Sequence, residues 1–147
     1  MNRAHRLRQA VNAANLSTPL GLLLVAAGTR SHRSRPAPGG LRVAGGYRLP
    51  LPAAPAFTVG NVVLMRGDAA ERLTRRPALL RHEARHATQY AYCLGPVMIP
   101  LYLAAAALSY ALCGDYASYN PFERLAGLAD GGYGKRPLRF SRRSPAA

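Results

Sequence analysis

Apolar positions are unevenly spaced along the chain, and each change of spacing marks an element. Residues 1–29 run from a basic start into Leu20-Gly21-Leu22-Leu23-Leu24-Val25-Ala26-Ala27. The pattern resembles a signal peptide, but the basic stretch is long and Pro19 opens the apolar run, so it predicts a core helix capped by Ser17 or Thr18 with Pro19 in its first turn. Residues 30–40 are a linker by composition, and His32 within it reads as solvated. From Leu41 to Met65 the pattern turns to short extended pieces. Gly45-Gly46 suggests a hairpin turn, the nearby prolines place the first strand pair at an edge, and Phe57 to Met65 reads as the stronger strand.

Helical periodicity then takes over. A helix is predicted from Pro77, suited to a first turn, to Cys93, where Gly95-Pro96 stops it. Leu80, Ala84, Ala87, Ala91 and Leu94 make an apolar stripe whose alanines imply close approach by another helix, with Arg81, Arg85, Gln89 and Tyr92 on a wetter side. From Ala87 to Gly114 there is no charged residue. A helix over Pro100–Cys113 would be roughly 21 Å long, short of the ~30 Å hydrocarbon core of a bilayer. It is therefore expected to be buried against the Pro77–Cys93 helix, with a membrane-embedded or re-entrant hairpin as the alternative. Residues 114–119 form a loop, and a last helix opens at Asn120-Pro121 and ends near Asp130-Gly131-Gly132.

These elements predict a small α+β domain, mainly helical, with a short antiparallel sheet or hairpin before the central helix. Three regions follow: a basic N-terminal helix and linker (1–40), the central domain (41–133) and a basic C-terminal tail (134–147). At 147 residues, one core is the default. Charge changes the picture only at the ends. The chain has 20 Lys+Arg against 6 Asp+Glu, net +14; Arg3, Arg6, Arg8, Arg30, Arg33 and Arg35 precede the core, and Lys135, Arg136, Arg139, Arg142 and Arg143 follow it. Such ends are drawn to anionic membrane surfaces or nucleic acid, or are simply solvated. A nucleic-acid role would rest on charge alone, because no reader motif is present. Cys93 and Cys113 form no CxxC pair, so they read as small buried residues, and together with the weak signal segment they favour a cytoplasmic location.

Candidate chemistry centres on His82-Glu83-Ala84-Arg85-His86, an HExxH motif inside the predicted helix. Two histidines four apart lie about 40° apart around a helix and roughly 6 Å apart along it, so both imidazoles can reach one metal ion. Glu83 can then take a proton from water, as a zinc hydrolase requires. A third ligand is needed. Cys93 lies about 10 Å further along the helix, too far for metal bonds of about 2 Å. No histidine follows His86. Asp115 remains open as a loop ligand, and Glu123, on a second helix, is the better candidate. Glu123 also fits a capping box with Asn120, in which its carboxylate would serve the backbone instead. Asp130 could orient a ligating imidazole or be an ordinary helix residue.

HEARH followed by Glu123-Arg124-Leu125-Ala126 resembles the gluzincin branch of zincin-like metallopeptidases, and HATQYAYCLGP with the later glutamate resembles small bacterial HExxH proteins with an apolar stretch between the two motifs. The resemblance covers roughly residues 57–133. It implies a zincin-like domain with zinc held by His82, His86 and Glu123, Glu83 as general base, a peptide or protein substrate, and the strand Phe57–Met65 lining the cleft and pairing with an extended peptide. The pattern departs in having Arg85 at the motif's fourth position, implying an exposed helix face or an acidic partner for Arg85. Gly127 rather than Asp follows Ala126, and no later histidine is available to stabilise an oxyanion. Tyr116, Tyr119 and Tyr133 are candidates for that last role, or structural tyrosines. A non-catalytic, membrane-associated or structural domain is the alternative function.

Overall fold

A computed structural model describes residues 1–140. In chain order the elements are α1 (Arg3–Ala14), α2 (Ser17–Gly28), β1 (Arg35–Ala37), β2 (Leu41–Ala44), β3 (Ala56–Val59), β4 (Val62–Met65), α3 (Ala69–Arg75), α4 (Pro77–Tyr92), α5 (Met98–Cys113), α6 (Pro121–Ala126) and α7 (Leu128–Gly131). Arg142 and Arg143 of the expected basic tail lie outside the described residues.

The four strands make one sheet in the order β1-β2-β4-β3. Its centre is β4, whose four residues are all buried. Period-two alternation divides them between two layers. Val62 and Leu64 pack with Val25 of α2, Ala44 and Tyr47, while Val63 and Met65 pack with Leu41 and with Leu79 and Ala87 of α4. A strand covered on both faces needs no polar alternation, which is why VVLM is continuously apolar. The molecule is thus a small α+β domain, as its sequence pattern predicts, with α2 and α4 on opposite faces of a mixed sheet.

Several local expectations are corrected. Phe57–Met65 is not one strand: Gly60, at φ +63°, turns the chain so that β3 and β4 pair antiparallel, Val59 opposite Val62. Gly45-Gly46 is not a hairpin turn; β2 runs parallel to β4, and the chain crosses over through residues 45–55 before returning as β3. Residues 30–40 are no plain linker, since β1 pairs antiparallel with β2. The basic N-terminus is a helix of its own, bent 73° from α2, and α2 is capped by Leu16 at φ +67° rather than by Ser17 or Thr18. Asn15 takes over the capping work by accepting from the Ser17 backbone N–H.

Residues 1–40 belong to the same core. Arg8, 7% exposed, donates to Asn61 Oδ1 and to the carbonyls of Gly39 and Ala84, and Asn12 donates to Ala87 O at 2.8 Å. These bonds bring α1 against Ala84 and Ala87 of α4, the close helix approach that the alanines imply. The apolar stripe of α4, however, is displaced from its predicted position. Leu79, His82, Glu83, His86, Ala87 and Tyr90 are the buried residues, whereas Leu94 is exposed. Periodicity weighted by hydrophobicity misses this because the inward face is itself polar.

The largest difference is α5. It is not buried against α4: only 22% of the apolar window within Gly95–Cys113 is inside the fold. By length and composition this segment is long and apolar enough to cross a membrane.

Candidate metal centre

The site is assembled where α4 meets α6 and α7 beneath the edge strand β3. Pro77 opens α4 and the Leu94-Gly95 reversal, with both residues at positive φ, follows its end, which leaves HEARH mid-helix with its backbone fully paired. His82 is 2% exposed, Glu83 2%, His86 7% and Glu123 3%. Burying that many polar groups is costly unless each has a partner.

Most of the partners are present. His82 Nδ1 lies 3.0 Å from Gly127 O; a carbonyl can only accept, so Nδ1 carries the hydrogen and Nε2 turns a lone pair inward. Gly127, at φ +91° and ψ +100°, breaks the predicted last helix into α6 and α7, and its carbonyl accepts both from the Gly131 backbone N–H at 3.1 Å and from His82. His86 Nδ1 donates to Gln89 Oε1 at 2.8 Å, and Gln89 Nε2 donates to Phe122 O at 2.9 Å, which fixes the amide's orientation. His86 Nε2 therefore also points inward. The two Nε2 atoms are 3.0 Å apart. Glu123 closes the group: its Oε2 lies 3.3 Å from His82 Nε2 and its Oε1 3.5 Å from His86 Nε2. Tyr102 Oη donates to Glu123 Oε1 at 2.5 Å, whereas Oε2 is buried with no hydrogen-bond partner among the described residues.

Glu123 does not serve as a helix cap. Asn120 Oδ1 caps α6 alone, accepting from the Phe122 backbone N–H, while the Asn120 N–H donates to Ala117 O. The Glu123 carboxylate faces the imidazoles, and one atom from each of His82, His86 and Glu123 lies within 4.8 Å of the others. This buried group could hold a metal ion.

Electrostatics agree with a cation site. Burial opposes ionisation of Glu123, yet the two facing imidazoles and the Tyr102 hydroxyl hold its carboxyl well below the usual carboxylate range. Burial also opposes charging of His86, but the Glu123 carboxylate outweighs it and raises the imidazole above its ordinary value. The group attracts positive charge, and a proton and a metal ion would compete for the same place. Glu83 stands beside this group rather than in it. Its Oε2 accepts from Thr58 Oγ1 of β3 at 2.7 Å, and burial pushes its carboxyl up against the opposing pull of His86, Thr58 and His82.

All four residues line a cleft of about 310 Å³. Its walls are mainly apolar and come from α2, β3, the loop before β3, and α5. Among the three candidate tyrosines, Tyr133 reaches it, with its ring 6.0 Å from that of His82. Tyr116 stacks on Tyr110 instead, and Tyr119 lies under Lys135. Asp115 is away from the cluster and accepts from Ser118. Asp130 touches neither imidazole: it binds Arg81 at 3.0 Å and Arg85 at 2.8 Å, which hold its carboxyl down to about 2. Arg85 thus has an acidic partner, and its pairing joins α4 to α7.

Thr58, Gln89, Tyr102 and Gly127 were not identifiable as site residues. Gln89 alone had a local signal, three residues beyond His86 on one helix. Gly131 is a further supporting position, because a Cβ there would lie 2.5 Å from His82 Cε1 and 2.9 Å from both ring nitrogens. Gly131→Ala is expected to displace the imidazole and weaken metal binding by about 10–100-fold, the usual cost of disturbing a ligand's support. Competitive metal titration checks this; unchanged affinity would show that the ring has room to move.

Compared with protein-family models, curated proteins and solved structures, this chain matches none of them.

Proposed function

We propose that the protein is a zinc-dependent peptidase of the zincin type, with His82, His86 and Glu123 as metal ligands and Glu83 as general base. The observation that carries this reading is the arrangement of three inward donor groups, of which the two Nε2 atoms and Glu123 Oε2 face only one another while Tyr102 holds Oε1. Two imidazole lone pairs 3.0 Å apart, and a carboxylate whose Oε2 is 3.3 Å from one and whose Oε1 is 3.5 Å from the other, repel unless a cation lies between them. Ligands about 2.0–2.1 Å from a tetrahedral ion are themselves about 3.3 Å apart, so the spacing suits zinc, and the unpaired Glu123 Oε2 supplies an atom awaiting a bond. A nitrogen–nitrogen–carboxylate set leaving a fourth position is the donor chemistry of a catalytic zinc site.

Zinc bound there would polarise a substrate carbonyl and acidify water. The protein's own groups do the rest. Glu83, whose carboxyl burial pushes up, takes a proton from the attacking water and delivers it to the leaving amine. Thr58 holds that carboxylate in place through its hydroxyl. Gly127 and Gln89 fix the two imidazoles as Nε2 ligands, and Tyr102 holds Glu123. Tyr133, on the cleft wall beside His82, is the group placed to donate to a developing oxyanion. Strand β3 is one of the two edge strands of the sheet and lines the cleft, so it can add an extended peptide by backbone pairing. The resemblance of HEARH and Glu123-Arg-Leu-Ala126 to gluzincins supports the same assignment.

The test is cleavage of a mixed peptide library by the zinc-loaded full chain, read as new termini by mass spectrometry. Cleavage that stops on chelation and returns with zinc is expected. A fully metallated protein that generates no new termini across the library would overturn the peptidase assignment.

A further inference from the structure

Two helices of this protein present apolar faces that nothing in the described chain covers. In α5 the inward positions Met98, Ala106, Ser109 and Cys113 are buried, while Leu101, Leu103 and Leu108 point outward at 48, 60 and 60% exposure. In α2, Gly21 and Val25 face the sheet, Gly28 lies against Tyr47 and Leu49, and Leu22 and Leu23 face out. Neither helix contains a charged residue. The segments that lead into them touch, Gly95 against Asn15, and Leu20 and Leu24 pack on the same buried cluster of Val59, Tyr90 and Met98 as Ile99 and Tyr102. Leu24 of α2 and Met98, Ile99, Tyr102 and Leu103 of α5 line the cleft of the metal centre. Its rim carries Leu51, 75% exposed. Exposed leucines on two neighbouring uncharged helices make a patch of the kind that marks an interaction site.

Cations border this face. Arg30 follows α2 within two residues of its end. At the far end of α5, the Arg139 N–H donates to Leu112 O, the Arg139 guanidinium lies 5.4 Å from the Tyr110 ring, and Arg136 reaches Gly114 O. An apolar face with arginine at its edges is the composition of an interfacial helix on anionic lipid. Spanning fits less well, although Gly95–Cys113 is long and apolar enough for it: the continuous helix α5 within that segment has 16 residues, about 24 Å against a hydrocarbon core of about 30 Å. One of its sides is also committed to protein, and its end is tied to the polar turn at Asp115 through Ser109 Oγ.

We propose that the α2–α5 face seats the protein on an anionic phospholipid bilayer. Leu22, Leu23, Leu101 and Leu108 enter the boundary between headgroups and acyl chains, with Arg30, Arg136 and Arg139 among the headgroups. The cleft then opens toward the lipid. Seating stands apart from the peptidase reading; only its corollary, that the cleft receives peptide segments from the membrane, rests on it.

The test is flotation of the full chain with vesicles of phosphatidylcholine, alone or mixed with phosphatidylglycerol. The protein is expected to float with the mixed vesicles, and Leu101→Glu/Leu108→Glu to lower its partition roughly tenfold or more. Both side chains point away from the fold, so the melting temperature should hold. Glu83→Gln should float like the parent, which separates seating from hydrolysis. Three results would overturn the proposal: a parent that stays soluble with both vesicles; equal flotation of the double variant, which leaves the arginines alone responsible; or a stable dimer in buffer that the double variant splits, which puts a second copy on this face.

Discussion

Replacing Glu83 by Gln is expected to slow amide hydrolysis by about 10²–10⁴-fold while zinc content stays at that of the parent. Gln has the same shape, and its carbonyl oxygen can keep the bond from Thr58 Oγ1 that now holds Glu83 at 2.7 Å. What disappears is the basic oxygen that takes and returns the proton. The three inward donors at His82, His86 and Glu123 are untouched, so a drop in turnover cannot be traced to metal loss. Parallel turnover and metal assays on one preparation make the comparison. Full turnover in this variant would remove Glu83 from the chemistry and leave the peptidase assignment without its base.

The second large effect is on binding. Glu123→Ala is expected to weaken zinc binding by roughly a hundred- to a thousandfold, because total affinities of about 10–16 kcal/mol are shared among three or four ligands. It also strands the Tyr102 hydroxyl, whose acceptor is Glu123 Oε1, and leaves the two Nε2 atoms facing each other 3.0 Å apart. Glu123→Gln is the informative companion: it keeps an acceptor for Tyr102 but removes the charge that favours a cation. Both variants should fall well below the parent in a competition titration against a zinc chelator. Parent-like affinity in Glu123→Gln would mean that the third donor lies elsewhere.

What the sequence discloses about this site follows the range of the interaction. His82 and His86 are legible because their meeting is set by one turn of one helix, and Pro77 and Gly95-Pro96 mark that helix within a residue of its observed ends. Glu123 is legible as a carboxylate on a second helix, but its two readings, ligand or cap, differ only in which way the side chain turns. That is decided by Asn120 pairing with Phe122 and by the imidazoles opposite. The Gly127 carbonyl, the Thr58 hydroxyl and Tyr102 are tertiary partners, separated from the groups they serve by 45, 25 and 21 positions, and no periodicity points to them. Asp130 reads equally as support for an imidazole or as a surface residue until Arg81 and Arg85 are seen to claim it.

The fold divides in the same way. The α+β class, α4 and the close approach on its alanines follow from pattern. The β3–β4 turn does not, because Gly60-Asn61 interrupts an otherwise continuous run of strand-forming residues and a single glycine also suits a bulge. The parallel pairing of β2 with β4 depends on a crossover that leaves no local trace. For α5, hydrophobicity implies burial but not the medium that supplies it, so a core helix and a membrane-facing one read alike.

The claim on which the rest depends is that His82, His86 and Glu123 hold one metal ion. The most direct measurement is elemental analysis of the full chain purified without chelators and dialysed against trace zinc, alongside His82→Ala. About one zinc per chain, lost in His82→Ala with the fold retained, is the predicted result. A folded parent protein that takes up no zinc, or takes it up equally in His82→Ala, would contradict it.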